Sequence, residues 1–235
     1  MTTAGLIADS ALRNLVVDLH SGKFSVAREK DKARPRRSEI FNTLICCLLS
    51  SGWRYEKAVK TSQLFLSSFD INNQIPSESS IEIFLRSPQV RHRFPKVKAK
   101  QLGMALNVLS SFPEDILYNA TSASEERLIR SILSRRLPGL GYKQTSMFLR
   151  NIGASEHLAV IDAHVLWYLE SCFGTTVKNV TSGRYIELED KIRAIASSFD
   201  VSLNDFDLLL WVVVREFKKK RTTECMMQYA LPLAD

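Results

Sequence analysis

Apolar residues recur at three- and four-residue spacing along nearly the whole chain, the repeat that gathers side chains on one face of a helix. That pattern predicts helices over 5–19, 38–50, 55–69, 79–86, 96–111, 123–136, 142–152, 163–173, 184–198 and 203–219. Local punctuation agrees with several of them. Ser79 with Glu82 and Ser122 with Glu125 have capping-box spacing, and Pro113 suits the start of a further short helix. Only nine glycines and seven prolines interrupt the 235 residues, which favours compact helices over a β-rich fold. The expected class is all-α.

Composition narrows this picture in a few places. The length allows one sizeable domain or two closely packed subdomains. A net charge of +7 and a pI near 9.3 suit a polyanionic partner, although charge alone does not select one. Four cysteines, at 46, 47, 172 and 225, lack metal-ligand spacing, and Cys46-Cys47 lies in an apolar helical run where buried free thiols are expected. Such thiols fit a reducing compartment, the cytoplasm or nucleoid. Met1 to Leu12 lacks a basic start followed by a sustained apolar stretch, so no secretory signal is read there. The apolar run near Trp211-Val212-Val213-Val214 is too short to span a bilayer and is closed by charges. No membrane partner is expected.

Basic residues concentrate in two places. Lys23 to Arg37, with seven basic and two acidic residues, reads as a connector, either a solvated loop or an arm that contacts phosphates. The second cluster is Arg91, Arg93, Lys96, Lys98 and Lys100, with Phe94 and Pro95 between. Lys96 and Lys100, at i,i+4 spacing, read as an exposed helix face. Arg91 and Arg93, which precede the helix, are better placed for phosphates, and Phe94 or a neighbour could wedge a duplex.

Candidate chemistry centres on Leu137-Pro138-Gly139-Leu140-Gly141-Tyr142-Lys143-Gln144, followed nineteen residues after Lys143 by Asp162. Gly139 and Gly141 suit a tight turn that another backbone can approach closely. A helix starting near Tyr142 would direct its unsatisfied N–H groups at a phosphate and position a duplex without reading its sequence. An ordinary helix–turn–helix in an all-α core has the same spacing. Lys143 and Asp162 together shift the balance. A cation in a first helical turn opposes the dipole and gains little structurally, yet exposed lysines are common at helix starts, and without Asp162 the ordinary reading would be preferred. A lysine amine attacks a sugar C1′ only when neutral, so its usual pKa of ~10.4 must fall for that role. Asp162, between Leu158-Ala159-Val160-Ile161 and an apolar helical run, reads as an N-cap. A carboxylate held there could also stabilise the oxocarbenium-like charge of a breaking N-glycosidic bond. His164 could approach a phosphate or serve as a hydrogen-bonded core histidine.

With these residues the chain resembles the helix–hairpin–helix DNA glycosylase superfamily, and within it the archaeal-type (type 2) 8-oxoguanine DNA glycosylases with AP-lyase activity. Gly141-Tyr142-Lys143-Gln144-Thr145-Ser146-Met147-Phe148-Leu149-Arg150-Asn151 resembles that family's catalytic segment nearly throughout. Glu39 to Leu49 resembles its first core helix, Val90 to Ala99 its basic linker region, and Asp207 to Trp211 its C-terminal helix; the likeness runs from about Ser38 to Lys220. The resemblance implies Lys143 as Schiff-base nucleophile and Asp162 as the carboxylate assisting base release. It also implies a base pocket with Trp211, with Asp207 one turn earlier as edge reader, and with Lys220. DNA contacts would come from Gly139, Gly141, Arg91, Arg93 and His164. The cysteine pattern excludes the iron–sulfur cluster of other branches.

The expectation is therefore an all-α protein of two helical subdomains with a helix–hairpin–helix motif and a cleft between them. Residues 1–37 form an N-terminal helix and basic connector, 38–220 the glycosylase domain, and 221–235 a tail. The implied activity is that of a bifunctional glycosylase and AP lyase on an oxidised purine, acting as a monomer on double-stranded DNA with one base flipped, without metal or organic cofactor. The family pattern ends in a lysine shortly after the tryptophan's helix, whereas here fourteen residues follow Arg221. Two alternatives stay open beside 8-oxoguanine excision: a glycosylase for a different modified base, such as one in foreign DNA, and a non-catalytic DNA-binding protein.

Overall fold

The structure, a computed structural model, describes residues 2–21, 34–177 and 179–219. Among them are eleven helices and no strand: α1 (Thr3–His20), α2 (Arg37–Ser50), α3 (Tyr55–Ser68), α4 (Glu78–Arg86), α5 (Pro95–Ser110), α6 (Glu114–Tyr118), α7 (Ala123–Arg136), α8 (Tyr142–Asn151), α9 (Ala163–Phe173), α10 (Ser182–Ser198) and α11 (Leu203–Lys219). The all-α expectation holds, and the helices fall within two residues of the periodic pattern. Ser122 caps α7 by accepting from the Glu125 N–H. Glu125 returns the contact, its carboxylate accepting from Ser122 as well as from the N–H and hydroxyl of Thr121. The Ser79 cap is a correction: Ser77 caps α4 instead, its hydroxyl accepting from the Ser80 N–H. The earlier serine lengthens the helix and sets Glu78 in its first turn, where a negative charge suits the dipole.

Contacts divide the chain into two compact helical subdomains, Arg28–Ser155 and Met1–Ala27 together with Glu156–Asp235. In the first, α2 is the central element. Ile40, Phe41, Leu44, Ile45, Cys46, Cys47, Leu48 and Leu49 are all buried on it, and α3, α5 and α8 pack around it. Each fully buried Leu, Ile or Phe contributes roughly 1.5–3 kcal/mol relative to exposure. Of the basic connector, residues 22–33 lie outside the described residues. Arg34 and Arg37 pair with Asp115 and Glu114 at 2.8 and 3.1 Å.

In the second subdomain α1 packs on α9 and α11. Gly5 allows this approach, because a Cβ there would stand 2.4 Å from the Ser171 carbonyl oxygen. The Thr2 N–H donates to the same oxygen at 2.8 Å, the Cys172 thiol to the Gly5 carbonyl at 3.3 Å, and the Tyr168 hydroxyl to Asp9 at 2.8 Å. Leu12, Tyr168, Leu169, Ile192 and Phe206 form the core beneath.

Candidate active site

The hairpin belongs to the first subdomain. Leu137 and Leu140 are buried and anchor it, and the Leu140 N–H closes its turn on the Leu137 carbonyl at 3.1 Å. Gly139, exposed between them, takes φ +88°, a left-handed conformation that other L residues rarely adopt. The Gln101 side-chain amide of α5 lies so close that a Cβ on Gly139 would stand 2.5 Å from it. Gly141 is the N-cap of α8 and supplies no side chain to its first-turn N–H groups, as the sequence predicts. Lys143 is half-buried in that first turn.

Beneath α8 lies a polar layer that the periodic pattern did not flag. Arg130 of α7 is fully buried, donates to the Ser146 hydroxyl at 3.2 Å and stacks over the Tyr142 ring at 4.8 Å. Ser146 and Tyr142 flank Lys143 along α8, so this guanidinium helps to fix the helix about its own axis. Gln144, also buried, reaches back to the Ser50 hydroxyl of α2 at 3.3 Å. Cys46, Cys47 and Cys172 are buried free thiols, as expected; Cys225 lies outside the described residues. Burial pushes the Cys47 thiol far up in pKa, with neighbouring Cys46 adding to the rise and Arg150 and Lys143 opposing it.

Arg91 and Arg93 sit exposed on the turn before α5, with the Arg93 guanidinium 4.9 Å from the centre of the Phe94 ring. Lys96 and Lys100 are exposed on α5, whereas Lys98 is buried, where loss of hydration lowers its pKa.

Asp162 belongs to the second subdomain and is the N-cap of α9, as expected. One carboxylate oxygen accepts from the N–H groups of His164 and Val165 at 2.7 and 3.1 Å; the other faces His164 Nδ1 at 2.8 Å. Burial alone would raise its pKa, but the His164 ring and the two backbone donors outweigh it and hold the carboxyl below its ordinary value. The extended approach to Asp162 is fixed from α10. The buried Glu189 carboxylate accepts from the Ala159 N–H at 3.0 Å, while the Tyr185 hydroxyl accepts from the Ile161 N–H at 3.0 Å and donates to the Ala159 carbonyl at 2.8 Å. Neither residue stood out in the sequence, since both follow the helical repeat of α10.

The His164 ring also meets Trp211 of α11 edge-on, with centroids 6.2 Å apart, and Arg215 stacks on Trp211 at 4.5 Å. Asp162, His164 and Trp211 are thus brought together, and Asp207 is buried one turn before Trp211. Lys220 lies outside the described residues. No helix among the described residues is long and apolar enough to cross a membrane.

Residues 24–201 match the family model for 8-oxoguanine DNA glycosylase. The 8-oxoguanine DNA glycosylase/AP lyase of Korarchaeum cryptofilum is 28% identical over 209 residues, covering 85% of this chain and 95% of its own. The enzyme of the same description from Saccharolobus islandicus is 31% identical over 175 residues, covering 73% and 80%. The crystal structure of the Methanocaldococcus jannaschii 8-oxoguanine glycosylase/lyase in complex with a 15mer DNA containing 8-oxoguanine shares the fold, with TM-score 0.69, 24% identity, and coverage of 89% of this chain and 99% of that one.

Proposed function

The chain belongs to the 8-oxoguanine DNA glycosylase family, and we propose that it excises 8-oxoguanine from double-stranded DNA and then cuts the strand as an AP lyase. The family match over residues 24–201 carries this reading. The arrangement around the hairpin and at the start of α9 supports a division of labour among its residues. Exposed Gly139 and the uncapped first turn of α8 receive a backbone phosphate. Arg91, Arg93 and His164 add phosphate contacts, and Trp211 with Asp207 lines the pocket for the flipped base.

In the reaction the Lys143 amine, in its neutral form, attacks C1′ as the C1′–N9 bond breaks and the base leaves with the bonding electron pair. Asp162 stabilises the positive charge that develops on the sugar. Loss of a proton from nitrogen and opening of the ring give the Schiff base between Lys143 and C1′. Removal of a C2′ proton expels the 3′ phosphate by β-elimination, and water releases the lysine. Every step is acid–base and nucleophilic, so the chemistry calls for neither a metal nor an organic cofactor. The protein acts as a monomer in the cytoplasm, at the nucleoid.

Borohydride trapping on a duplex carrying 8-oxoguanine opposite cytosine, with an abasic duplex and Lys143→Gln as controls, tests this. A covalent adduct that Lys143→Gln abolishes is expected. Trapping at the abasic site alone would redirect the activity to another base, and no adduct on either duplex would refute Lys143 as nucleophile.

A further inference from the structure

We propose that His92 is a positioning residue whose imidazole pins the turn presenting Arg91, Arg93 and Phe94 to DNA. This rests on the reading above that the turn meets the duplex. His92 is buried between exposed neighbours, with Phe94 42% exposed. Both of its ring nitrogens are engaged: Nε2 lies 3.2 Å from the Leu49 carbonyl oxygen, and the Phe94 N–H donates to Nδ1 at 3.0 Å. A carbonyl can only accept and a backbone N–H can only donate, so Nε2 carries the hydrogen and Nδ1 the lone pair. The ring is thereby held in one neutral tautomer. Burial favours that form, as does nearby Lys98, while the bond to Leu49 opposes them, and the net effect lowers the imidazole pKa.

The rest of the turn depends on this anchor. The His92 N–H donates to the Leu85 carbonyl and the Arg91 N–H to that of Ser87, each at 2.9 Å. Between those bonds Arg91 takes φ 47°, a left-handed conformation that is strained for a non-glycine residue. Such a residue persists only where its surroundings over-determine it. Trp53 packs against the His92 ring, with centroids 4.4 Å apart. Gly52, beside the Phe94 ring, takes φ +76°, a left-handed conformation that glycine adopts without strain. Leu49 and Ser50 are the last residues of α2, and Ser50 also receives Gln144, the neighbour of Lys143. The last turn of α2 therefore fastens both the Arg91–Phe94 turn and the helix that carries the lysine.

The test compares His92→Phe, which keeps a ring against Trp53 but has no nitrogens, with His92→Asn, whose amide oxygen can still accept from the Phe94 N–H. Each is assayed for single-turnover excision from an 8-oxoguanine:cytosine duplex, and for borohydride trapping on a single-stranded abasic oligonucleotide, which has no duplex to open. His92→Phe should lose about tenfold more on the duplex than on the single strand, since small misplacements at such contacts cost up to about a hundredfold. His92→Asn should recover part of that loss and also serves if the phenylalanine variant does not fold. Equal losses on both substrates, or no loss on the duplex, overturn the proposal. Phe94→Ala is run beside them. If it lowers duplex excision while His92→Phe does not, the turn meets DNA without needing His92; if neither lowers it, the DNA-contact reading falls as well.

Discussion

Asp162→Asn separates the observed role of this side chain, helix cap, from the proposed one, charge stabiliser. The asparagine carbonyl can take over the bonds from the His164 and Val165 N–H groups, now 2.7 and 3.1 Å long. Asparagine and aspartate rank about equally as N-caps, so that part of the change costs at most a few tenths of a kcal/mol. The charge-assisted contact with His164 Nδ1 at 2.8 Å is lost, and at a site whose side chains are 24% and 18% exposed this amounts to about 1 kcal/mol. For a chain of this size that shifts Tm by about 2–4 °C. Removing a full negative charge from beside a developing cation should cost much more, about 10²–10³ in rate, the scale seen when a single preorganised stabilising group is deleted. The assay is single-turnover release of 8-oxoguanine from a duplex, with thermal unfolding measured in parallel. Asp162→Ala should lose a similar factor in rate and, without a cap, a further 0.5–2 kcal/mol or so in stability. If Asp162→Asn excises within threefold of the wild type, the carboxylate is only a cap and the mechanistic assignment is wrong.

Other substitutions probe the supports of the site. Gly139→Ala forces a Cβ into a left-handed conformation and displaces the Gln101 amide; it should cost about 1–2 kcal/mol and weaken duplex binding, and unchanged binding would remove the hairpin from the DNA interface. Arg130→Met withdraws the guanidinium from Ser146 and Tyr142, and with Glu126 buried one turn earlier on α7 it should lose about 3 kcal/mol, together with trapping through Lys143; a denaturation midpoint within error of the wild type would contradict this. Gly5→Ala drives a methyl group into the Ser171 carbonyl, and the roughly 1–3 kcal/mol of overpacking should exceed the gain in helix propensity of about 1 kcal/mol, visible as a lower Tm. Because the Asp162 carboxyl titrates below its ordinary value, the stability it contributes is present above the unfolded pKa of about 4 and is lost as pH falls through the lower folded value. Acid unfolding of Asp162→Asn should lack that component.

The helices were legible because their determinants are local. Spacing, caps and turn residues all act within a few positions, which is why α7, α8, α9 and α11 begin where the pattern places them. For the same reason Gly139, Gly141, Lys143 and Asp162 could be singled out from the sequence. The supporting residues could not. His92 sits in a run of exposed basic residues, and only its partner Leu49, forty-three positions away, reveals a buried anchor. Tyr185 and Glu189 hold the approach to Asp162 across 24 to 30 positions, and Gly5 owes its role to Ser171. The misplaced cap at Ser79 was an ambiguity of composition. Ser77, Ser79 and Ser80 compete within four residues, and the spacing to Glu82 favoured the wrong one.

Two helix starts show why this chain needs one glycine cap and one aspartate cap. Every α-helix begins with unsatisfied N–H groups and the positive end of its dipole. At α9 the protein neutralises both internally, because Asp162 accepts two of the N–H groups and brings its own negative charge. A phosphate would compete there with a carboxylate already in place. At α8 the cap is Gly141, with no side-chain acceptor, and the first turn carries Lys143 and no acidic residue. That start is left electrostatically positive, which suits an external anion. Replacing Gly141 with aspartate would supply the missing cap and should stabilise α8, yet it would place a negative charge where the DNA backbone is proposed to bind. A gain in Tm together with a loss of duplex affinity and of trapping is the signature expected if the open start of α8 is kept for phosphate.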